Sequence, residues 1–162
     1  LELDNKNEKS LFFTLKYDAP INKRNTIKIS AFEHLVKSND YRLFKITEID
    51  RLVNCQTVET MFANKLVTVI DRYNRYKEVA GRDIYDIHYF FSQGYGFKEE
   101  IIKERTGLNV EMYFKELINF INNEVTEKII TEDLNTLLPL AKFNKMRKVL
   151  KQEVLMFLRA SI

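Results

Sequence analysis

Apolar and polar residues alternate over two short stretches near the start of the chain. Odd positions are apolar from residue 11 to residue 17, and again from residue 27 to residue 31. Because successive side chains of a strand point to opposite faces, this period of two predicts two half-buried strands. The link between them, residues 18–25, contains proline and asparagine and predicts an antiparallel hairpin with a long loop. Residues 41–46 are a candidate third strand.

The spacing of apolar residues changes near residue 56 to three and four, which is the period of an α-helix. Thr57 is suited to cap the first helix. The apolar stripe of this helix contains Val58, Met61, Phe62, Leu66, Val69, Ile70 and Tyr73. Further helices are predicted over residues 81–92, over residues 98–105 with Gly107 as the stop, after Asn109, shortly before Pro139, and over residues 141–160.

The chain is therefore predicted to be α+β, with short N-terminal antiparallel strands followed by a predominantly helical bundle. The predicted domains are residues 1–56, which hold the strands, and residues 57–162, which hold the helices. Two or three strands alone make a poor sheet. In addition, the chain begins with Leu1 and not with methionine. Both observations predict that further strands precede Leu1.

Composition narrows the class of protein. A chain of 162 residues with 45% hydrophobic residues can bury a sizeable core. No apolar run approaches the ~20 residues of a membrane helix, so no membrane partner is expected. A cytoplasmic location is expected because a single cysteine fits a reducing compartment. The single cysteine, Cys55, cannot form an internal disulfide, and with only two histidines no typical zinc site is predicted. No residue is assigned as a metal ligand.

Lys65 interrupts the apolar stripe of the first predicted helix. It follows Phe62 by three residues and Met61 by four, so it lies on the same face. Such a lysine extends to solvent from the edge of the stripe, pairs with an acid, or directs its charge into a cleft. Phosphate is a natural partner for a cation in a cleft. The pattern leaves these interpretations open.

A second group of charges opens the next predicted helix. Asp83 and Asp86 are three residues apart and share a face, while Arg82 and Asp86 are four apart and can pair on the surface. Asp83 in the first turn also suits the helix dipole. The alternative brings Asp83 beside Lys65 across the two helices. A carboxylate there could fix the lysine, orient a substrate hydroxyl or act as a general base.

Residues 58–91 resemble the C-terminal motifs of the AbiEii-type nucleotidyltransferase toxins of abortive-infection and type IV toxin–antitoxin systems. The family pattern has a lysine in a helix shortly after the sheet and an arginine one or two turns later. The motif R-D-x-Y-D then opens the next helix. Lys65, Arg72 and residues 82–86 match this pattern in order and spacing.

The resemblance implies a nucleotidyltransferase sheet, of which the strands here are a remnant, followed by a helical domain. It implies transfer of a nucleotide from an NTP, with Mg²⁺ in the complete protein, to an RNA acceptor, with tRNA as the first candidate. It also implies a role in antiviral defence and a cognate antitoxin protein. Lys65 and Arg72 would bind the nucleotide, Asp83 would be catalytic, and Arg82 and Asp86 would be supporting residues.

Parts of the family pattern are missing from these 162 residues. The Gly-Ser turn and the D-x-D/E strand, whose carboxylates hold Mg²⁺, are absent. Residues 2–4 and 48–50 have E-x-D spacing, but neither follows a glycine turn or lies on a predicted strand. Ser30 stands where a third acid is expected. The complete protein is therefore expected to be an enzyme, and this chain alone is expected to be inactive.

The last predicted helix is rich in positive charge. A single acid, Glu153, accompanies six basic residues: Lys142, Lys145, Arg147, Lys148, Lys151 and Arg159. One interpretation is a solvated helix face. The other is a surface that contacts the RNA backbone without reading its sequence.

Two other functions remain open. Arg82 and His88 are six residues apart, which resembles the R-x(4–6)-H motif of the all-helical, metal-independent HEPN ribonucleases. These two residues would then cleave RNA, across a dimer. The predicted strands argue against an all-helical domain, and His88 follows Ile84 by four residues, on an apolar face that favours a structural histidine. The third function is a non-catalytic helical domain that binds a partner protein such as an antitoxin.

Overall fold

The structure, a computed structural model, describes residues 2–7, 10–18, 25–32 and 36–162. The chain divides into two compact units, residues 1–37 and residues 38–162. The first unit contains β1 (Glu2–Asn7), β2 (Ser10–Lys16) and β3 (Thr26–Phe32). The second unit contains β4 (Tyr41–Ile46), β5 (Arg51–Gln56), α1 (Val58–Tyr76), α2 (Gly81–Ser92), α3 (Glu99–Thr106), α4 (Val110–Glu124), α5 (Glu127–Leu134) and α6 (Leu140–Ala160). The predicted α+β class is confirmed, whereas a domain boundary at residue 56 stays a prediction.

The first unit is a three-stranded antiparallel sheet in the order β1-β2-β3. Its register pairs Phe13 with Ile29 and Leu15 with Ile27, so the apolar positions of β2 and β3 share one face. This confirms the two strands that the alternating pattern predicts. The central part of the predicted loop, residues 19–24, lies outside the described residues.

Two strands were not predicted, and both lack clear alternation. The strand β1 has one apolar residue, Leu3, and it forms through backbone pairing with β2. The E-x-D segment of residues 2–4 therefore does lie on a strand, contrary to the prediction. In β5, Leu52 and Val53 are adjacent apolar residues, which breaks the period of two, and the strand forms by pairing with β4. Glu48 lies in a short 3₁₀ turn between β4 and β5.

The helix boundaries agree closely with the sequence pattern. The Thr57 side chain caps α1 by accepting a hydrogen bond from the backbone N–H of Thr60. Gly107 ends α3 with a φ of 76°, a left-handed conformation that glycine adopts without strain. Among the described residues, no helix is both long and apolar enough to cross a membrane.

The buried face of α1 is broader than its apolar stripe. Residues between the stripe positions are also buried, among them Thr60, Ala63 and Val67, because α1 packs against both α2 and α3. Met61 belongs to the apolar stripe but is 47% exposed. A helix that contacts neighbours on two sides buries small residues that a one-sided pattern assigns to the edge.

Candidate functional site

Helices α1 and α2 run antiparallel, and this brings their charged residues together. Phe62 near the start of α1 stacks on Phe90 near the end of α2, with ring centroids 4.9 Å apart. Arg72 near the end of α1 meets Asp83 at the start of α2. The short link between the helices begins at Lys77, whose φ of 56° ends α1 in a left-handed conformation.

The start of α2 is held against α5. The backbone N–H of Gly81 donates a hydrogen bond to Asp133 Oδ2 at 2.7 Å, so a carboxylate of another helix caps α2. A Cβ at position 81 would lie 2.9 Å from the backbone oxygen of Ile129, which leaves room only for glycine. These contacts fix the position of Asp83, two residues later. No local sequence signal identifies Asp133, because it is 52 positions from Gly81.

The middle of α1 is fixed by a buried tyrosine of α4. The Tyr113 hydroxyl donates a hydrogen bond to the backbone oxygen of Leu66 at 3.0 Å. Burial, with a smaller effect of the nearby Asp71 and Glu116 carboxylates, raises the pKa of the Tyr113 phenol, so it remains a donor. This bond anchors α1 next to Lys65.

Asp83 joins two cations of α1, Lys65 and Arg72, in one partly buried network of ion pairs. Its Oδ1 lies 3.1 Å from Lys65 Nζ, and its Oδ2 lies 2.8 Å from Arg72 Nε. Asp83 is 2% exposed, whereas the side chains of Lys65 and Arg72 are each 28% exposed. The predicted approach of Lys65 and Asp83 is confirmed, and Arg72 is part of the same cluster.

Asp86 contacts the same lysine from one turn later on α2. Its Oδ2 lies 2.9 Å from Lys65 Nζ, and its side chain is 43% exposed. The expected surface pair of Arg82 with Asp86 is therefore wrong, because Asp86 turns toward α1 and pairs with the lysine. Arg82 is exposed to solvent. Lys65, Arg72, Asp83 and Asp86 are called the α1–α2 charge cluster below.

The cluster keeps Lys65 positively charged. Burial on its own would lower the pKa of Lys65, but the hydrogen bonds and negative charges of Asp86 and Asp83 outweigh it and raise the pKa. Because the pKa of Lys65 is higher in the folded state, its ion pairs stabilise the fold fully below pH 10.5, the ordinary pKa of lysine. This stabilisation is lost as the pH rises through the pKa of the folded state. At neutral pH the site therefore offers two cations.

Comparison with known proteins decides the family. The family model described as nucleotidyl transferase AbiEii toxin, type IV TA system, matches residues 4–154. The chain belongs to the AbiEii toxin family. No curated protein and no solved structure matches it. Nucleotidyl transfer is the general activity of the family, and membership in a toxin–antitoxin system implies a cognate antitoxin.

The acids of this AbiEii chain do not form a metal site within the part that the structure describes. No group of three or more His, Cys, Asp or Glu residues there could hold a metal ion. Asp83 and Asp86 are the acids of the charge cluster, but both face cations at 2.8–3.1 Å. Carboxylates already neutralised by Lys65 and Arg72 are poor candidates for Mg²⁺ ligands.

His88 lies on α2 on the side that packs against α6. Its Nε2 forms a hydrogen bond with Glu153 Oε2, and its ring lies 5.8 Å from that of Phe157. Among the described residues no contact joins His88 to Arg82. The arrangement agrees with a structural histidine that connects two helices of the AbiEii fold.

Replacing His88 by alanine is expected to lower the free energy of unfolding by roughly 1–3 kcal/mol, because the hydrogen bond between a mostly buried histidine and Glu153 is lost. Nucleotide binding should not change. Denaturant unfolding and an RNA-cleavage assay measure the two effects, and Glu153→Ala is the matched variant, since it removes the same hydrogen bond from the other side. Loss of an RNA-cleavage activity with unchanged stability would instead favour the HEPN-type ribonuclease.

Proposed function

We propose that this chain supplies the nucleotide-phosphate site of a toxin that transfers a nucleotide from an NTP to an RNA acceptor, with tRNA as the first candidate. Lys65 and Arg72 bind phosphate oxygens of the NTP. The proposal places the reaction in the cytoplasm and, through its toxin activity, assigns the protein to antiviral defence.

The pairing of two cations on one buried carboxylate is the observation that carries the proposal. Lys65 and Arg72 lie 3.1 Å and 2.8 Å from oxygens of the same carboxylate, so the negative charge of Asp83 offsets the repulsion between the two cations. Because both cations remain partly exposed while Asp83 is buried, their free N–H groups can still meet a ligand from solvent. Phosphate oxygens bind best to such charge-assisted donors.

The geometry supports a positioning role for Asp83. Both of its carboxylate oxygens accept hydrogen bonds from cations, and only 2% of the residue is exposed. A substrate would reach Lys65 or Arg72 before it reached this carboxylate. We propose that Asp83 holds the two cations in place for the nucleotide, and direct participation in catalysis stays a prediction of the resemblance.

We propose that the complete protein uses Mg²⁺, because nucleotidyl transfer needs a cation that neutralises charge on the transferring phosphoryl group. The 162 residues contain no Gly-Ser turn followed by a D-x-D/E segment, and the charge cluster does not fit a metal. We therefore propose that this chain alone binds NTP and does not transfer it.

The test incubates the chain with Mg²⁺, each labelled NTP in turn and tRNA, and it measures NTP binding in parallel. Binding without labelled product is the expected result. Efficient transfer would show that acids of this chain hold the metal after all. Absence of binding for all four NTPs would contradict the nucleotide site itself.

Helix α6 supplies the surface that we propose for the RNA backbone. Lys151 is not part of it, because its Nζ donates to the backbone oxygens of Asn122 and Val125 at the end of α4. Lys145, Lys148 and Arg159 are exposed, and none of them forms an ion pair within the described ranges. Exposed cations without acidic neighbours can contact phosphates at little desolvation cost.

The variant Lys145→Ala/Lys148→Ala is expected to weaken binding to tRNA and to reduce the slope of log affinity against log salt by about 2, one unit for each lost phosphate contact. Fluorescence anisotropy at several KCl concentrations measures the slope. Lys115→Ala/Lys128→Ala removes the same charge from exposed positions on α4 and α5 and serves as the control. Equal slopes for both double variants would show that Lys145 and Lys148 of α6 do not contact the RNA backbone.

A further inference from the structure

Lys65 has two acidic partners, and these differ sharply in how firmly they are held. Asp83 is 2% exposed and is also bound by Arg72. Asp86 has a side chain that is 43% exposed, and within the described part of the chain Lys65 is its one ion-pair partner. An ion pair that is open to solvent is weak because water and salt screen it. Asp83 is therefore a fixed partner of Lys65, and Asp86 is an exchangeable one.

The charges of the cluster cancel in this arrangement. Lys65 and Arg72 carry two positive charges, and Asp83 and Asp86 carry two negative charges. A phosphate chain that approaches Lys65 would meet the Asp86 carboxylate only 2.9 Å from the ammonium group. Two anions that share one ammonium group repel each other, so phosphate binding is strongest when Asp86 moves away.

We infer that Asp86 is a displaceable counter-ion, which occupies on Lys65 the position that a phosphate oxygen takes when a nucleotide binds. The inference rests on the proposed function, because it concerns the phosphate ligand of the same lysine. Displacement needs only a side-chain rotation at an accessible position of α2. The exposed Arg82 lies one turn earlier, at the i,i+4 spacing from which it can pair with the released carboxylate.

Opposite effects of the two aspartates follow from this inference. Removing the negative charge of Asp86 eliminates a competitor of the phosphate, so the affinity for phosphate should rise. Removing the negative charge of Asp83 releases the two cations from their anchor, so the affinity should fall. A simple change in net charge would shift both affinities in the same direction.

The experiment titrates sodium tripolyphosphate, the phosphate chain without a base or ribose, into the full 162-residue chain by calorimetry. Asp86→Asn is expected to bind about two- to fivefold more tightly than the wild type, the fold-change that corresponds to one solvent-screened ion pair. Asp83→Asn is expected to bind more weakly than the wild type. Glu111→Gln, which removes an exposed acid of α4, is the matched control for net charge and should leave the affinity unchanged.

A second measurement does not depend on the variants folding normally. In the wild-type chain labelled with ¹³C at aspartate carboxyl groups, tripolyphosphate should shift the Asp86 signal and leave the Asp83 signal in place. Wild-type binding with an unmoved Asp86 signal, or with no tightening in Asp86→Asn, would overturn the inference and leave the proposed function standing. If neither the wild type nor Asp86→Asn binds tripolyphosphate, both proposals are overturned.

Discussion

Replacing Lys65 by alanine is expected to weaken triphosphate binding by about ten- to a hundredfold while the helical unit stays folded. A hydrogen bond to a charged group contributes roughly 1.5–3 kcal/mol, and each 1.4 kcal/mol is a tenfold change in affinity. Asp83 keeps its bond to Arg72 in this variant, so no buried charge is left without a partner. Calorimetric titration with ATP and with tripolyphosphate measures the affinity.

The control for this variant is Lys128→Ala on α5. Lys128 is exposed and lies 3.9 Å from Glu132, so its removal changes the net charge equally and disturbs no buried contact. Its affinity for triphosphate is expected to stay within about twofold of the wild type. Equal losses in the two variants would mean that phosphate responds to overall charge and not to the charge cluster.

Replacing Asp83 by alanine is expected to lower the free energy of unfolding by about 3–5 kcal/mol. Breaking a buried ion pair by removing one partner leaves the other charge uncompensated, and here Arg72 loses its described ion-pair partner while Lys65 keeps only the solvent-exposed Asp86. The partial exposure of Lys65 and Arg72 places the effect toward the lower end of this range. Denaturant unfolding followed by far-ultraviolet circular dichroism reports on the helices of the second unit.

Asp86→Ala is the matched control, since it removes the other aspartate of the cluster. Its side chain is open to solvent and, among the residues that the structure describes, pairs with Lys65 alone, so screening limits the loss to about 0–1 kcal/mol. The loss of unfolding free energy in Asp83→Asn should lie between the losses in Asp83→Ala and Asp86→Ala, because asparagine keeps the shape of the side chain and loses its charge. Similar losses for the alanine variants of Asp83 and Asp86 would contradict the distinct roles of the two residues.

The sequence predicts the helical part of the fold well because its signals are local. Thr57 as a cap and Gly107 as a stop depend on residues within a turn or two of each other. The strand β1 and the exposure of Met61 depend on pairing and packing with distant segments. A local pattern carries no information about such partners, so neither feature was predicted.

The same difference between local and distant signals applies to the charge cluster. Helical spacing places Lys65 on the apolar stripe of α1 and allows Asp83 as its partner across the two helices, and the resemblance to the family adds Arg72. The partner of Asp86 could not be predicted in this way. Helical spacing allows a pair with Arg82 as well as one with Lys65, and only the packing of α1 against α2 selects Lys65. Asp133 and Tyr113, which fix the two helices, lie too far along the chain for any pattern to connect them.

The most direct test of the nucleotide-phosphate site is a ¹H–¹⁵N NMR titration of the chain with ATP, followed residue by residue. The account predicts that the largest changes centre on Lys65, Arg72 and residues 82–86, and that they are absent in Lys65→Ala. Changes centred on another surface, or no changes at millimolar ATP, would contradict a phosphate site at the α1–α2 charge cluster.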